Sequence, residues 1–196
     1  LSFQSKTCQN CFKEVSDKFG DHASSCKING LLYHRHEHVK SILVQACREG
    51  HLEVSEEILG YCADSNKRPG DLTIHGYEQN LDLLVDVSIV SSFQNIQKAS
   101  QETGYNAKLT EKAKIGKYSN VLIEHPLGGD LTFKPFIIET LGGWTETADE
   151  IIDNIAIAQS YYQDLPYKKL AGNIRRKITT SLAKDLCKMW FSSFER

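Results

Sequence analysis

Cys8, Cys11, His22 and Cys26 are the first residues whose types and spacing could do chemistry, because together they suit one metal ion. Two residues separate Cys8 from Cys11, so a single tight knuckle can present both sulfurs, and three separate His22 from Cys26, which suits one helical turn. Four such donors close a tetrahedron and leave no position for water, which points to structural rather than catalytic zinc. A lone Cys-x-x-Cys would leave unconnected thiols or a disulfide as strong alternatives, and the added His22 and Cys26 argue against both. Cys47, Cys62 and Cys187 stand apart from the cluster. That uneven distribution fits metal binding in a reducing compartment, nuclear or otherwise intracellular, better than a disulfide framework. His34, His36 and His38 crowd a helix start, but alternate helical residues point in different directions, so they cannot all face one ion. His36 is the candidate kept from this group.

The second group is acidic. Asp71 follows Arg68-Pro69-Gly70, and Asp86 interrupts the apolar run Leu83 to Val90. A carboxylate inside a buried strand is costly unless it is paired or holds a cation. Two carboxylates on neighbouring strands could bind Mg²⁺ or Mn²⁺ through hard oxygen ligands, and such an ion polarises a phosphate and acidifies a bound water. Lys114 and Lys117, which share a helix face, are candidates to stabilise the developing charge, with Tyr118 beside them. A turn residue at Asp71, an ion pair at Asp86 and a solvated basic face are the plainer readings, and the last is preferred for Lys108 and Lys112.

These residues need elements to hold them. Residues 1 to 30 lack helical or strand periodicity, so something other than a hydrophobic core must order them; a bound metal could do it, and residues 1–30 are expected to form a knuckle unit. Val39, Ile42, Leu43, Ala46 and Cys47 make one apolar helix face over His36 to Glu49, and Gly50 can end that helix. Leu81 to Val90 reads as a buried central strand. Residues 107 to 118 read as a Lys-rich helix, with strands expected at Val121 to Glu124 and Phe133 to Ile138 around a Gly128-Gly129 turn. Residues 31–145 therefore predict an α/β core. Thr145 can cap a helix with Ile151, Ile152, Ile155, Ala158 and Tyr162 on its apolar face. Pro166 opens a second helix, so residues 146–196 form a C-terminal helical pair whose Lys168, Lys169, Arg175, Arg176 and Lys177 face solvent or a partner.

With 196 residues the chain can bury a real core, and no apolar run is long enough to span a bilayer, so no membrane role is expected. The formal charge of −2 gives no global basic field, and any nucleic-acid contact must rest on local patches. The first residue is Leu1, which suggests a piece of a longer protein.

Taken in order, the knuckle, Arg35-His36, Arg68-Pro69-Gly70-Asp71, Asp86-Val87-Ser88, Lys114-Ile115-Gly116-Lys117-Tyr118 and Glu139-Thr140-Leu141-Gly142-Gly143 resemble a restriction-like endonuclease of the PD-(D/E)xK superfamily. More narrowly, the order is similar to the endonuclease domain linked to reverse transcriptase in site-specific non-LTR retrotransposons. The resemblance covers roughly residues 8 to 145. It implies a restriction-endonuclease-like central mixed sheet flanked by helices and Mg²⁺-dependent nicking of DNA. Asp71 and Asp86 would be the motif aspartates. It also implies DNA as partner, with RNA and a reverse transcriptase domain of the same polyprotein as further candidates. Two departures stand out: Gly70 separates Pro69 from Asp71, and Ser88 occupies the position of the motif lysine. The lysine role is therefore carried to Lys114 or Lys117, with His36, Ser88 and Tyr118 as candidate nucleic-acid contacts. Glu37, Glu56 and Glu57 are open candidates for a further acidic group. If the helix did not supply the lysine, the protein would bind DNA without cutting it; a zinc-stapled protein-interaction domain is the third possibility.

Overall fold

The computed structural model describes residues 6–15, 21–28, 30–57, 70–78, 81–123 and 131–194. Arg68, Pro69, Cys62, Gly128 and Gly129 lie outside these residues. Strands β1 (Lys6–Thr7) and β2 (Glu14–Val15) pair antiparallel and lead into the short helix α1 (Asp21–Ser25). Helix α2 (Leu31–Glu49) then precedes strands β3 (Val54–Glu56), β4 (Leu72–Glu78) and β5 (Leu81–Val90). Helices α3 (Ile96–Ala99) and α4 (Tyr105–Ile123) cross over to β6 (Leu131–Glu139). Helices α5 (Glu146–Ser160) and α6 (Tyr167–Phe194) complete the chain.

The four larger strands form one sheet in the order β3-β4-β5-β6, antiparallel except for the parallel β5–β6 pair. A parallel pair needs a long crossover, and α4 provides it. Because strand side chains alternate between faces, β5 carries two different surfaces. Leu83, Val85 and Val87 join Leu72, Ile74, Phe136 and Ile138 in the main core, covered by α2, α5 and α6. Leu84, Asp86 and Ser88 take the opposite face, where α4 lies and Tyr118 packs on Phe133 with ring centroids 4.5 Å apart. Burial on both faces explains why β5 is apolar from Leu83 to Val87 except at Asp86.

Helices α2 and α4 form with longer spans than expected, whereas α5 ends at Ser160 and leaves Tyr162, expected on its apolar face, exposed beyond it; the C-terminal pair shares the main core, where Ile151, Ile152 and Ile155 of α5 meet Leu170, Ile174, Ile178 and Leu182 of α6. Thr145 caps α5, its hydroxyl accepting from Ala148 N at 3.2 Å. One expectation fails. The strand assigned to Val121 to Glu124 is not formed through Ile123, since α4 continues to that residue. Adding a residue to an existing helix gains a hydrogen bond without a new nucleation cost, which outweighs the strand preference of a short β-branched run. Among the described residues no helix is long and apolar enough to cross a membrane.

Candidate metal centre and acidic site

The four predicted metal donors converge. The ligand atoms of Cys8, Cys11, His22 and Cys26 all lie within 4.8 Å of one another, the one such group of three or more His, Cys, Asp or Glu among the described residues. The Cys8 and Cys26 sulfurs are 3.9 Å apart, close to the roughly 3.8 Å edge of a tetrahedron with zinc–sulfur bonds of about 2.3 Å. Cys11 Sγ lies 3.2 Å from His22 Nε2. The chain makes this shape locally. Phe12 N donates to Cys8 O and Cys8 N to Lys13 O, closing the turn that carries Cys8 and Cys11, while α1 presents His22 with Cys26 just past its end. Burial pushes the Cys8 thiol up, yet the Cys11 and Asn10 backbone groups and the His22 side chain bring it down to about 6. Burial and the neighbouring Cys8 and Cys11 thiols hold Cys26 above its ordinary value. Crowded thiols of this kind favour one thiolate and oppose the next, which is the condition a bound cation relieves.

The knuckle is fastened to the rest of the protein. Gln9 N donates to Ser193 O at 3.0 Å, and Asn10 Nδ2 reaches the Ser192 and Ser193 hydroxyls at the end of α6. Arg35, 4% exposed, donates from Nη1 to Ser24 O at 3.0 Å, and burial lowers its guanidinium to about 10. Ser91, immediately after β5, donates to Asp21 Oδ1. The centre is therefore tied to α2, α6 and the end of the strand that carries Asp86.

Asp86 is 7% exposed and faces α4, whose Lys114 and Tyr118 reach down to it. Lys114 Nζ lies 2.6 Å from Oδ2, Tyr118 donates to Oδ1 at 3.0 Å, and Ser88 donates to Oδ2 at 3.3 Å. Lys117 meets the carboxylate only at one remove: its Nζ sits 4.6 Å from the centroid of the Tyr118 ring and donates at 3.2 Å to the Tyr118 hydroxyl that holds Asp86. Of the two candidate lysines, Lys114 is thus the one on the carboxylate. Position 88, the motif-lysine position, faces the same side as Asp86 and supplies only a hydroxyl.

Asp71 reaches the same stretch of β5 from the start of β4. Its N–H donates to Val85 O at 2.8 Å, and its Oδ2 accepts from Val87 N at 2.6 Å. His36 of α2 places Nε2 3.2 Å from Asp71 Oδ2 and 3.2 Å from Val87 O. Its imidazole is held above the usual range, chiefly by the hydrogen bond with Asp71, against the opposing effect of burial. Glu37 and Glu57 spend their carboxylates on the buried Lys40 ammonium, each at 2.9 Å with Glu56 at 3.8 Å, and burial of that lysine is outweighed so that it stays charged; Glu37 Oε1 also lies 3.3 Å from His36 Nδ1 and so backs the histidine that holds Asp71. His34 and His38 are exposed, and His38 pairs with Asp185 instead.

Gly70 has a steric reason to stand between Pro69 and Asp71. A Cβ there would meet Leu84 Cδ1 at 2.7 Å and Val85 O at 2.9 Å, and the second is backbone that cannot step aside. Gly70→Ala is expected to push β4 off β5 at Asp71 and to cost roughly 1–3 kcal/mol of stability, read as a lower urea midpoint at unchanged m. A midpoint equal to the parent would mean that this contact is relieved cheaply.

Sequence reasoning missed Glu111. It shares the sheet-facing side of α4 with Ala107, Lys114 and Tyr118 by helical spacing, and its Oε1 is buried with no hydrogen-bond partner among the described residues. It also missed Glu139, whose Oε1 accepts from Ala107 N at 3.2 Å and so anchors the first turn of the helix that carries Lys114. A glutamate at a strand end and one in a Lys-rich helix carry no local signal of these roles. No protein-family model matches the chain, and no curated protein matches it.

Proposed function

We propose that the chain is a Mg²⁺- or Mn²⁺-dependent DNA endonuclease of restriction-like architecture, braced by a structural zinc ion at Cys8, Cys11, His22 and Cys26. The observation that carries the reading is Asp86, a buried carboxylate in mid-strand on which a lysine and a tyrosine from one helix converge. The donor set suits a hard ion. Asp71 Oδ1 accepts no hydrogen bond among the described residues, and each carboxylate has lone pairs to spare beyond its present contacts. Mg²⁺ is commonly held by one or two carboxylates, with water and substrate phosphate filling the rest, so in this reading Asp71 and Asp86 hold it without a third acid. When bound, the ion would supply Lewis-acid polarisation of the scissile phosphate and an acidified water.

The chain's own groups do the positioning. Val87 N–H and His36 hold the Asp71 carboxylate, and Tyr118 and Ser88 hold that of Asp86. Lys114, side chain 26% exposed, can turn its ammonium from Asp86 toward a phosphate oxygen and stabilise charge that develops there. Nicking of a target strand so that its 3′ end primes reverse transcription is the biological role this reading carries.

The test is nicking of supercoiled plasmid by the chain in Mg²⁺ and in Mn²⁺. Lys114→Ala is expected to slow nicking by roughly 10²–10³-fold, and Lys117→Ala by less than about tenfold. Equal effects of the two substitutions would remove Lys114 from its special role. One observation favours a second reading. Both Asp86 oxygens already have protein partners, as in a centre that has settled into an ion pair. Salt-sensitive DNA binding with no nicking in either metal would establish that non-catalytic form.

A further inference from the structure

We infer that the outer groove between α2 and α6 is a second nucleic-acid surface, seating the phosphate backbone of a DNA duplex away from the Asp86 centre. Three adjoining hollows of about 240, 260 and 420 Å³ run along this junction. Their walls carry four permanent cations, Arg176, Lys177, Lys184 and Lys188, against a single carboxylate, Asp185. The whole chain has 23 basic and 25 acidic residues, so this four-to-one excess is local concentration rather than general charge. Asp185 is itself already engaged, 2.8 Å from His38 Nδ1 and 3.6 Å from Lys188 Nζ.

The cations are arranged as a track. Arg176, Thr180, Lys184 and Lys188 recur every four residues on α6 and cover about 18 Å of helix, roughly the axial rise of five nucleotides in one duplex strand. Ser181 and Ser41 add hydroxyl groups to the walls, the mixture of charged and neutral donors that phosphate contacts use. Among the described residues Lys184 has no ion pair and the Arg176 side chain bonds only the neutral Asn173, while Lys177 reaches Glu49 at 3.5 Å and Lys188 reaches Asp185 at 3.6 Å, long pairs, exposed at the lysine, that a phosphate can replace. At the Lys188 end, one further helical turn brings Ser192 and Ser193, which hold Asn10 of the knuckle.

The groove is separate from the acidic site. His36 points from α2 toward Asp71, whereas His38, roughly 200° further round the helix, lines the groove. Asp86 faces α4, on the other side of β5 from the main core that α2 covers. An enzyme that must hold long DNA while cutting one strand has use for such a second contact, and the choice of DNA as occupant rests on the nuclease reading above.

The experiment measures binding of a fluorescent 30-base-pair duplex by anisotropy across a salt series, with no divalent ion added. Arg176→Gln, Lys184→Gln and Lys188→Gln combined are expected to weaken binding at least tenfold and to make the log–log salt slope shallower by two to three, given about 0.9 per phosphate contact. Lys168→Gln with Lys169→Gln neutralises exposed lysines outside the groove and should leave both quantities near the parent. Replacement of the three groove cations by their basic counterparts (Arg176→Lys, Lys184→Arg, Lys188→Arg) should retain the slope, and a parent-like thermal midpoint shows that the neutralised chain is folded. The inference is overturned if the triple variant keeps the parent slope, if the control pair lowers it equally per charge, or if the parent does not bind the duplex at low salt. Groove-dependent binding with no nicking in Mg²⁺ or Mn²⁺ would sink the nuclease reading and leave the groove standing. Nicking with an unchanged slope in the triple variant would do the reverse.

Discussion

Asp86→Ala is expected to lower metal-dependent nicking of supercoiled plasmid by roughly 10³-fold, the loss of about 4 kcal/mol of transition-state stabilisation that an ion and its ligand supply. The substitution does more than delete a ligand. It removes the carboxylate that the Lys114 ammonium and the Tyr118 hydroxyl contact, so the alanine variant should also lose stability. Asp86→Asn separates the two effects. The amide keeps the volume and can accept from Tyr118 through its carbonyl oxygen, but it cannot neutralise a divalent ion. The asparagine variant is therefore expected to match alanine in lost nicking while holding a thermal midpoint closer to the parent. Cleavage by Asp86→Asn at the parental rate would sink the acidic centre as the seat of reaction. Asp71→Ala should show the same loss with a smaller stability change, because its carboxylate is more exposed and serves chiefly Val87 N–H and His36.

Asp86 and the knuckle were legible in the sequence for opposite reasons. Cys8, Cys11, His22 and Cys26 are near neighbours along the chain, so covalent spacing alone brings the donors together, and the structure gathers all four. Asp86 stood out because a charge interrupts an apolar run, and the cost of burying it announces a partner. Which partner was not legible. Lys114 and Lys117 lie on one helix face, and the choice between them depends on how α4 is rotated over the sheet, which Tyr118 against Phe133 and Glu139 at the first turn decide. The same limit applies to His36, whose contact with Asp71 spans 35 residues and a helix-to-sheet packing that periodicity cannot specify. The apolar faces of α2, α5 and α6 were readable because amphipathic spacing is local. The end of α4 was not, since Val121, Leu122 and Ile123 suit a strand in isolation and join a helix already under way. Gly70 looked like a flaw in a motif, and only the approach of Leu84 and Val85 gives it a cause.

Removing the metal from the knuckle is the second change expected to have a large effect, because apparent zinc affinities of this donor class are worth on the order of 10 kcal/mol and that energy is folding energy. The purified chain should carry one zinc per molecule, and Cys8→Ser or Cys26→Ser should abolish it. Cysteine chemistry reports the consequence directly. With metal bound, Cys8, Cys11 and Cys26 should resist alkylation by iodoacetamide, and a chelator should expose all three. Cys187, exposed on α6, should react in both states. Cys47, buried in the main core with its thiol pushed up to about 12 by burial, should react in neither unless the core itself opens. Labelling that the chelator adds only at the three knuckle cysteines would show a local unit that unfolds while the sheet persists. Labelling that spreads to Cys47 would show that the ties from Gln9 and Asn10 to α6, from Ser24 to Arg35 and from Asp21 to Ser91 couple the metal to the whole fold. Those ties predict a further step: because Ser91 follows the strand that bears Asp86, the chelated chain should nick more slowly even where Cys47 stays protected. Three thiols equally reactive with and without chelator, in a chain that carries no zinc, would discard the metal centre.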